Sequence, residues 1–144
     1  MIRTILGVIV GFVVLFIVQF LVLSAAYLLL GVDRTFQPGS FALSPLWLVI
    51  QAAFTLVAGI IAGKVCRVVS GRGWSTIPFV VLVLVLGLLA SIPFLLRSEA
   101  VPARLGEVST LEAMSSGRAP RFFQVVMPFV SALGIVLGGR SKRK

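Results

Sequence analysis

Apolar residues along this chain gather in four long runs, Ile5–Leu30, Leu46–Val65, Ile77–Leu96 and Phe122–Leu137, and almost every charged residue lies between or beyond them. A helix of about 20 apolar residues crosses the ~30 Å hydrocarbon layer of a bilayer, so the first three runs are long enough outright. The fourth is shorter, but "FFQVVMPFVSALGIVLG" carries no charge and a basic tail closes it. The pattern predicts an all-α protein: an integral membrane four-helix bundle in a single domain over residues 1–144. Its helices are expected at about 5–30, 46–65, 77–96 and 122–137, with an outer segment at 97–121. The first run follows a basic residue, Arg3, as a secretory signal does. It is far longer than a signal's apolar region and reads as an uncleaved first helix.

Glycine interrupts these runs at a fixed spacing. Gly7 and Gly11, Gly59 and Gly63, and Gly134 and Gly138 each stand four apart, near the same end of their helices. Small residues at that spacing cut a flat groove along one helix face, into which a neighbouring backbone can settle. The favoured reading is that the glycines narrow the bundle at one end. The alternative is that glycine is common in membrane helices and that Gly63 and Gly138 simply end theirs. The spacing alone leaves open whether the grooves face one another or a second protein. "GIIAGKVCR" and "GIVLGGRSKR" also resemble each other, as do "RTIL" and "STIP", which suggests two tandem helical hairpins in parallel.

Composition agrees with the membrane assignment, at 59% hydrophobic and 12% charged residues. The formal charge of +9 is distributed unevenly. One side collects Arg3, Lys64, Arg67, Arg72, Arg140, Lys142, Arg143 and Lys144 and no acid. The other mixes Arg34, Arg97, Arg104, Arg118 and Arg121 with Asp33, Glu99, Glu107 and Glu112. Basic residues accumulate in short cytoplasmic segments, so both termini are expected in the cytoplasm. The excess charge then serves topology and adhesion to anionic headgroups, with Lys64, Arg67, Arg72, Arg140, Lys142, Arg143 and Lys144 as the lipid-surface residues. Nucleic acid is not an expected partner.

Candidate chemistry is sparse. Histidine is absent and Cys66 is the only cysteine, which excludes an internal disulfide, a CxxC pair and histidine-based metal or acid–base sites. No metal, cofactor or catalytic residue is expected. Lys64, the ionisable residue closest to the layer, can snorkel to the headgroups. Counting ~1.5 Å per residue puts Gln19, Thr55 and Ser131 near mid-membrane with Gly87 opposite, and Gln51 and Gln124 nearer the outer face. These are expected to bridge helices, the alternative being a polar pocket for a headgroup or a quinone-like ligand. Pro128 removes the bond to the Gln124 carbonyl and should kink the fourth helix. Tyr27, Trp47 and Trp74 suit an interfacial aromatic belt. Ser109 with Glu112 fits a capping box opening a short helix through Met114.

With "RTILGVIVGFVV" opening helix 1, "AGIIAGKVCR" closing helix 2 and "LGGR" near the end, the chain resembles small four-helix membrane proteins of no known activity that are widespread in bacteria. The resemblance implies the bacterial inner membrane and carries over no functional residue. The small multidrug exporters share the plan but look for a glutamate in helix 1, where this chain has only Gln19. The expected function is that of a non-enzymatic accessory or structural subunit, associating with other transmembrane helices or with itself. A small transporter or channel formed in an oligomer is the alternative, and a lipid-acting protein the third. Thiol labelling of single-cysteine variants in intact cells checks the topology. Arg72→Cys should react only from the cytoplasmic side and Glu107→Cys only from outside, and the reverse pattern would invert the bundle.

Overall fold

The computed structural model describes residues 2–71, 73–96, 103, 106 and 116–140. Four α-helices, each long and apolar enough to cross a membrane, carry the fold: α1 (Ile2–Thr35), α2 (Pro45–Ser70), α3 (Thr76–Leu96) and α4 (Arg121–Gly139). A 3₁₀ turn at Gly73–Ser75 leads into α3. The expected helix at Ser109–Met114 lies outside the described residues, as do Arg72, Lys142, Arg143 and Lys144.

Two helix ends differ from the hydropathy boundaries, and glycine decides both. In α1 the regular helix stops after Leu30, because Gly31 takes φ 71°, and only one further turn follows to Thr35. Helix α2 carries Lys64 and continues past Val65 through Arg67 to Ser70. Polar side chains end the membrane layer without ending the helix. Termination waits for Gly71, whose left-handed backbone (φ 68°) lets its N–H donate to the Arg67 carbonyl at 2.9 Å. With 26 residues α2 is about 39 Å long, so it projects beyond the hydrocarbon or tilts within it. Gly63 is thus an interior position, and the reading of it as a helix terminator is overturned, whereas Gly138 stands next to the last residue of α4.

Packing places α2 between α1 and α4, with α3 resting on α4 and touching α1 only lightly. At the end where α2 and α4 finish, here termed the basic end, Leu15, Ala58, Ala62, Cys66, Phe79, Val83 and Ile135 form the buried core. At the far end Tyr27, Phe36, Phe41 and Trp47 form a second cluster. Its rings meet edge to face, Tyr27 with Trp47 at 5.9 Å and Phe36 with Phe41 at 6.2 Å. Tyr27 and Trp47 are therefore core residues, 4% and 7% exposed, and not members of an interfacial belt. Trp74, 82% exposed, is the one of the three that faces outward. The loop between α1 and α2 is tied down by Ser44. Its hydroxyl donates to the Arg34 carbonyl at 2.6 Å and accepts from the Trp47 N–H at 3.2 Å, capping α2. The approach to α4 joins the same layer, with the Leu43 N–H donating to the Arg118 carbonyl at 3.0 Å and the Arg118 N–H to the Phe41 carbonyl at 2.9 Å.

The glycine pairs lie in the helix seams. A Cβ added at Gly59 would stand 2.7 Å from the Ser131 carbonyl oxygen, and one at Gly134 would stand 2.5 Å from that of Leu56. One at Gly63 would strike the Ile135 carbonyl, and one at Gly138 that of Ile60. These contacts are reciprocal: a shift of 75 positions carries Leu56, Gly59, Ile60 and Gly63 onto Ser131, Gly134, Ile135 and Gly138. The α2–α4 seam thus has local two-fold character along the helix direction. Gly7 and Gly11 face the α2 backbone at Cys66 and Ala62, so α1 docks by the same device. The likeness stops at α3, where Thr76 fills the space beside Gly139.

Replacing Gly59 or Gly63 by leucine should cost about 2 kcal/mol or more through overpacking against a backbone that has no side-chain freedom to move aside. Val57→Leu, on a residue 49% exposed, should stay within about 0.5 kcal/mol. Thermal unfolding in detergent checks this, and equal midpoints for the three variants would reject it.

Candidate functional site

The polar residues predicted for the membrane layer are found at more than one helix seam. Gln19 on α1 donates from Nε2 to the Thr55 hydroxyl on α2 at 2.8 Å, and Thr55 is 3% exposed. Ser131 is buried on α4, where its carbonyl lies against Gly59. Gln124 lies at the α3–α4 seam, through its backbone. Gln51 stands one turn before Thr55 on α2, and its Oε1 is a buried acceptor with no hydrogen-bond partner. The structure therefore joins Gln19 with Thr55, while the Ser131 carbonyl meets Gly59 and the Gln124 carbonyl meets Ser91. Among the described residues, no hydrogen bond links Ser131 or Gln124 with the Gln19–Thr55 pair.

Pro128 generates the most specific arrangement. Proline has no N–H to give to the residue four positions back, which leaves the Gln124 carbonyl without its helical donor. Inside a bilayer such a group costs several kcal/mol if nothing satisfies it. Helix α4 nevertheless continues through Pro128 as a single helix. Ser91 on α3 supplies the missing donor, its hydroxyl lying 3.0 Å from the Gln124 carbonyl and 2.8 Å from that of Gly87, one proton serving both. The proline ring fits the space that Gly87 leaves open, where a Cβ would stand 2.6 Å from Pro128 Cγ. Gly87, Ser91, Gln124 and Pro128 thus form one lock between α3 and α4. The sequence reading named Gly87, Gln124 and Pro128 and missed Ser91. The missing signal was available, because a serine four residues after Gly87 can bond back to the preceding turn and still offer its hydroxyl to a neighbouring helix. The freed carbonyl is satisfied within the chain.

Among the described residues three open features stand out on the surface. A groove of about 360 Å³ runs between α1 and α2 in the far half, lined by Phe16, Gln19, Phe20, Leu23, Ser24, Tyr27 and Trp47. At the basic end a cleft of about 480 Å³ is bounded by Lys64, Arg67, Val68, Gly71, Gly138 and Arg140. An apolar groove of about 430 Å³ adjoins it, with Trp74, Thr76, Ile77, Val80, Val81, Val136, Gly139 and Arg140 along its sides. Lys64 and Arg140 are exposed and Arg67 is half-buried, so the cations gather beyond the core. Among the described residues no group of three His, Cys, Asp or Glu is placed to hold a metal ion. Cys66 is buried, its thiol 3.7 Å from the Ser75 carbonyl, while the Ser70 and Ser75 hydroxyls pair beside it.

Ser91→Ala should destabilise the bundle by about 0.6–1.7 kcal/mol, the usual range for a hydrogen bond between membrane helices. In a Pro128→Ala background alanine restores the N–H that satisfies Gln124, and Ser91→Ala should then cost markedly less. A double-mutant cycle of unfolding free energies reads the difference. Strict additivity would show that Ser91 does not serve the proline site.

No protein-family model matches the sequence, and no curated protein or solved structure is significantly similar to it, so the functional reading rests on this geometry.

Proposed function

We propose that the chain is a non-enzymatic accessory or structural subunit of the bacterial inner membrane, with both termini cytoplasmic, acting by association with other transmembrane helices or with itself. The observation that carries the reading is the internal use of polar groups within the layer. Thr55 takes the Gln19 amide, and Ser91 takes the carbonyl that Pro128 frees. Transport paths and proton relays are ordinarily marked by ionisable residues facing a water-filled interior. Here the described cations stand in or beside the terminal turns of the helices, apart from Lys64, which is exposed about two turns before the end of α2, and the interhelical bonds join amides, hydroxyls and carbonyls. The glycine spacing left open whether its grooves serve the chain itself or a partner. The glycine grooves are filled by the chain's own backbones, so association falls to the outward faces of α1 and α3, of whose apolar windows only 17% is buried.

A transporter or channel assembled from several copies is the second reading, favoured by Gln51, whose buried Oε1 has no partner. Amides and carbonyls can line a pore without charge. Purified protein in liposomes should show no uptake that follows an imposed pH gradient, and extraction in mild detergent should retain a stoichiometric protein partner or a homo-oligomer. Gradient-driven uptake that disappears in Gln19→Leu would defeat the accessory reading. A monomer without a protein partner and with no flux would defeat both.

A further inference from the structure

Arg140 borders two cavities of opposite character. On one side lies the cleft with Lys64 and Arg67, and on the other the apolar groove walled by Ile77, Val81 and Val136. Each has a volume in the range of small-molecule sites. The chain segments that meet here, 2–16, 59–80 and 131–140, contain no Asp or Glu. A cationic cleft joined to an apolar groove at the end of a membrane helix is complementary to a molecule with an anionic head and a hydrocarbon tail. We propose that this end of the bundle is a binding site for a single anionic phospholipid, its phosphate held by Lys64, Arg67 and Arg140 and one acyl chain lying along α3 and α4. Arg140 is the pivot. Its planar guanidinium can present two parallel N–H groups to a phosphate, while its methylene stem extends along the apolar wall. Trp74, exposed at the mouth of the groove, suits the level where chains meet headgroups. Gly71 contributes as well, because it lines the cleft where a side chain would enter open space.

The site does not depend on the accessory reading, because it needs only a headgroup layer at the basic end. A lipid-bound monomer would overturn that reading and leave this one standing. The test is native mass spectrometry of the intact protein in mild detergent, titrated with phosphatidylglycerol, with phosphatidylcholine of the same chains, and with inorganic phosphate. Phosphatidylglycerol should bind about tenfold or more tightly than phosphatidylcholine, and Arg140→Gln and Lys64→Gln should each weaken it roughly fivefold. Lys64 is exposed, so its variant keeps the test valid if Arg140→Gln fails to fold. Val81→Trp, which fills the groove without changing charge, should also weaken binding, and Arg34→Gln at the far end should not. Equal binding of the two lipids would overturn the proposal, as would an Arg34→Gln effect as large as that of Arg140→Gln. Binding untouched by Val81→Trp, or displaced by millimolar inorganic phosphate, would reduce the site to one for free anions and overturn the lipid assignment.

Discussion

The bundle depends on backbone-to-backbone contact between α2 and α4. Lipid tails are as apolar as leucine, so burying aliphatic side chains gains little in a bilayer, and close approach has to supply the cohesion. Glycine permits it here by putting Cα hydrogens where a Cβ would strike a carbonyl oxygen, at Gly63 against Ile135 and at Gly138 against Ile60. Such Cα–H···O contacts are individually weak, and their reciprocal repetition along one seam makes them effective. α1 joins through Gly7 and Gly11 on the other side of α2, so the central helix is gripped on both flanks. The price is inflexibility, since neither backbone can move aside for a larger residue.

The α3–α4 seam uses a different device with the same result. There a proline stands in place of a glycine pair, and its ring occupies the notch at Gly87. A proline in mid-helix ordinarily leaves a carbonyl wanting, but the notch brings Ser91 within reach of it. Shape and hydrogen bonding are thereby coupled: the ring cannot leave the notch without uncapping Gln124. This coupling holds α3, which makes only light contact with α1.

Much of this was legible in the chain. The span of each apolar run determines a membrane helix because the bilayer has a fixed thickness, so the four helices follow from length and composition. The glycine spacing named the residues of the α2–α4 seam, and helical rise put Gln19 level with Thr55. What could not be read was which helix faces which. The same spacing suits a partner protein, and only the folded arrangement shows the grooves filled from within. Tyr27 and Trp47 illustrate the limit from the other direction. Their positions near a helix end match an interfacial belt, but the loop that brings Phe36 and Phe41 beneath them makes them core. The true end of α2 was hidden because hydropathy reports where the membrane stops, while the helix stops where Gly71 takes a left-handed turn.

The two ends of the bundle consequently differ in kind. At the far end aromatic rings, the Ser44 cap and the backbone ties from Leu43 and Phe41 to Arg118 close the structure on itself. At the basic end the glycine seams draw the helices together, and exposed side chains such as Val68, Trp74 and Ile77 border open clefts there. Two of the helices also finish there with their carbonyl ends, a concentration of negative dipole that basic residues offset. Arg67 in the last turn of α2 and Arg140 just after α4 therefore have a structural role before any ligand is considered. Neutralising two helix ends needs charge close to the axes, whereas Lys64 and Arg140 are exposed and border open space. Their placement thus extends past what the helices alone require, toward the headgroups of the membrane itself.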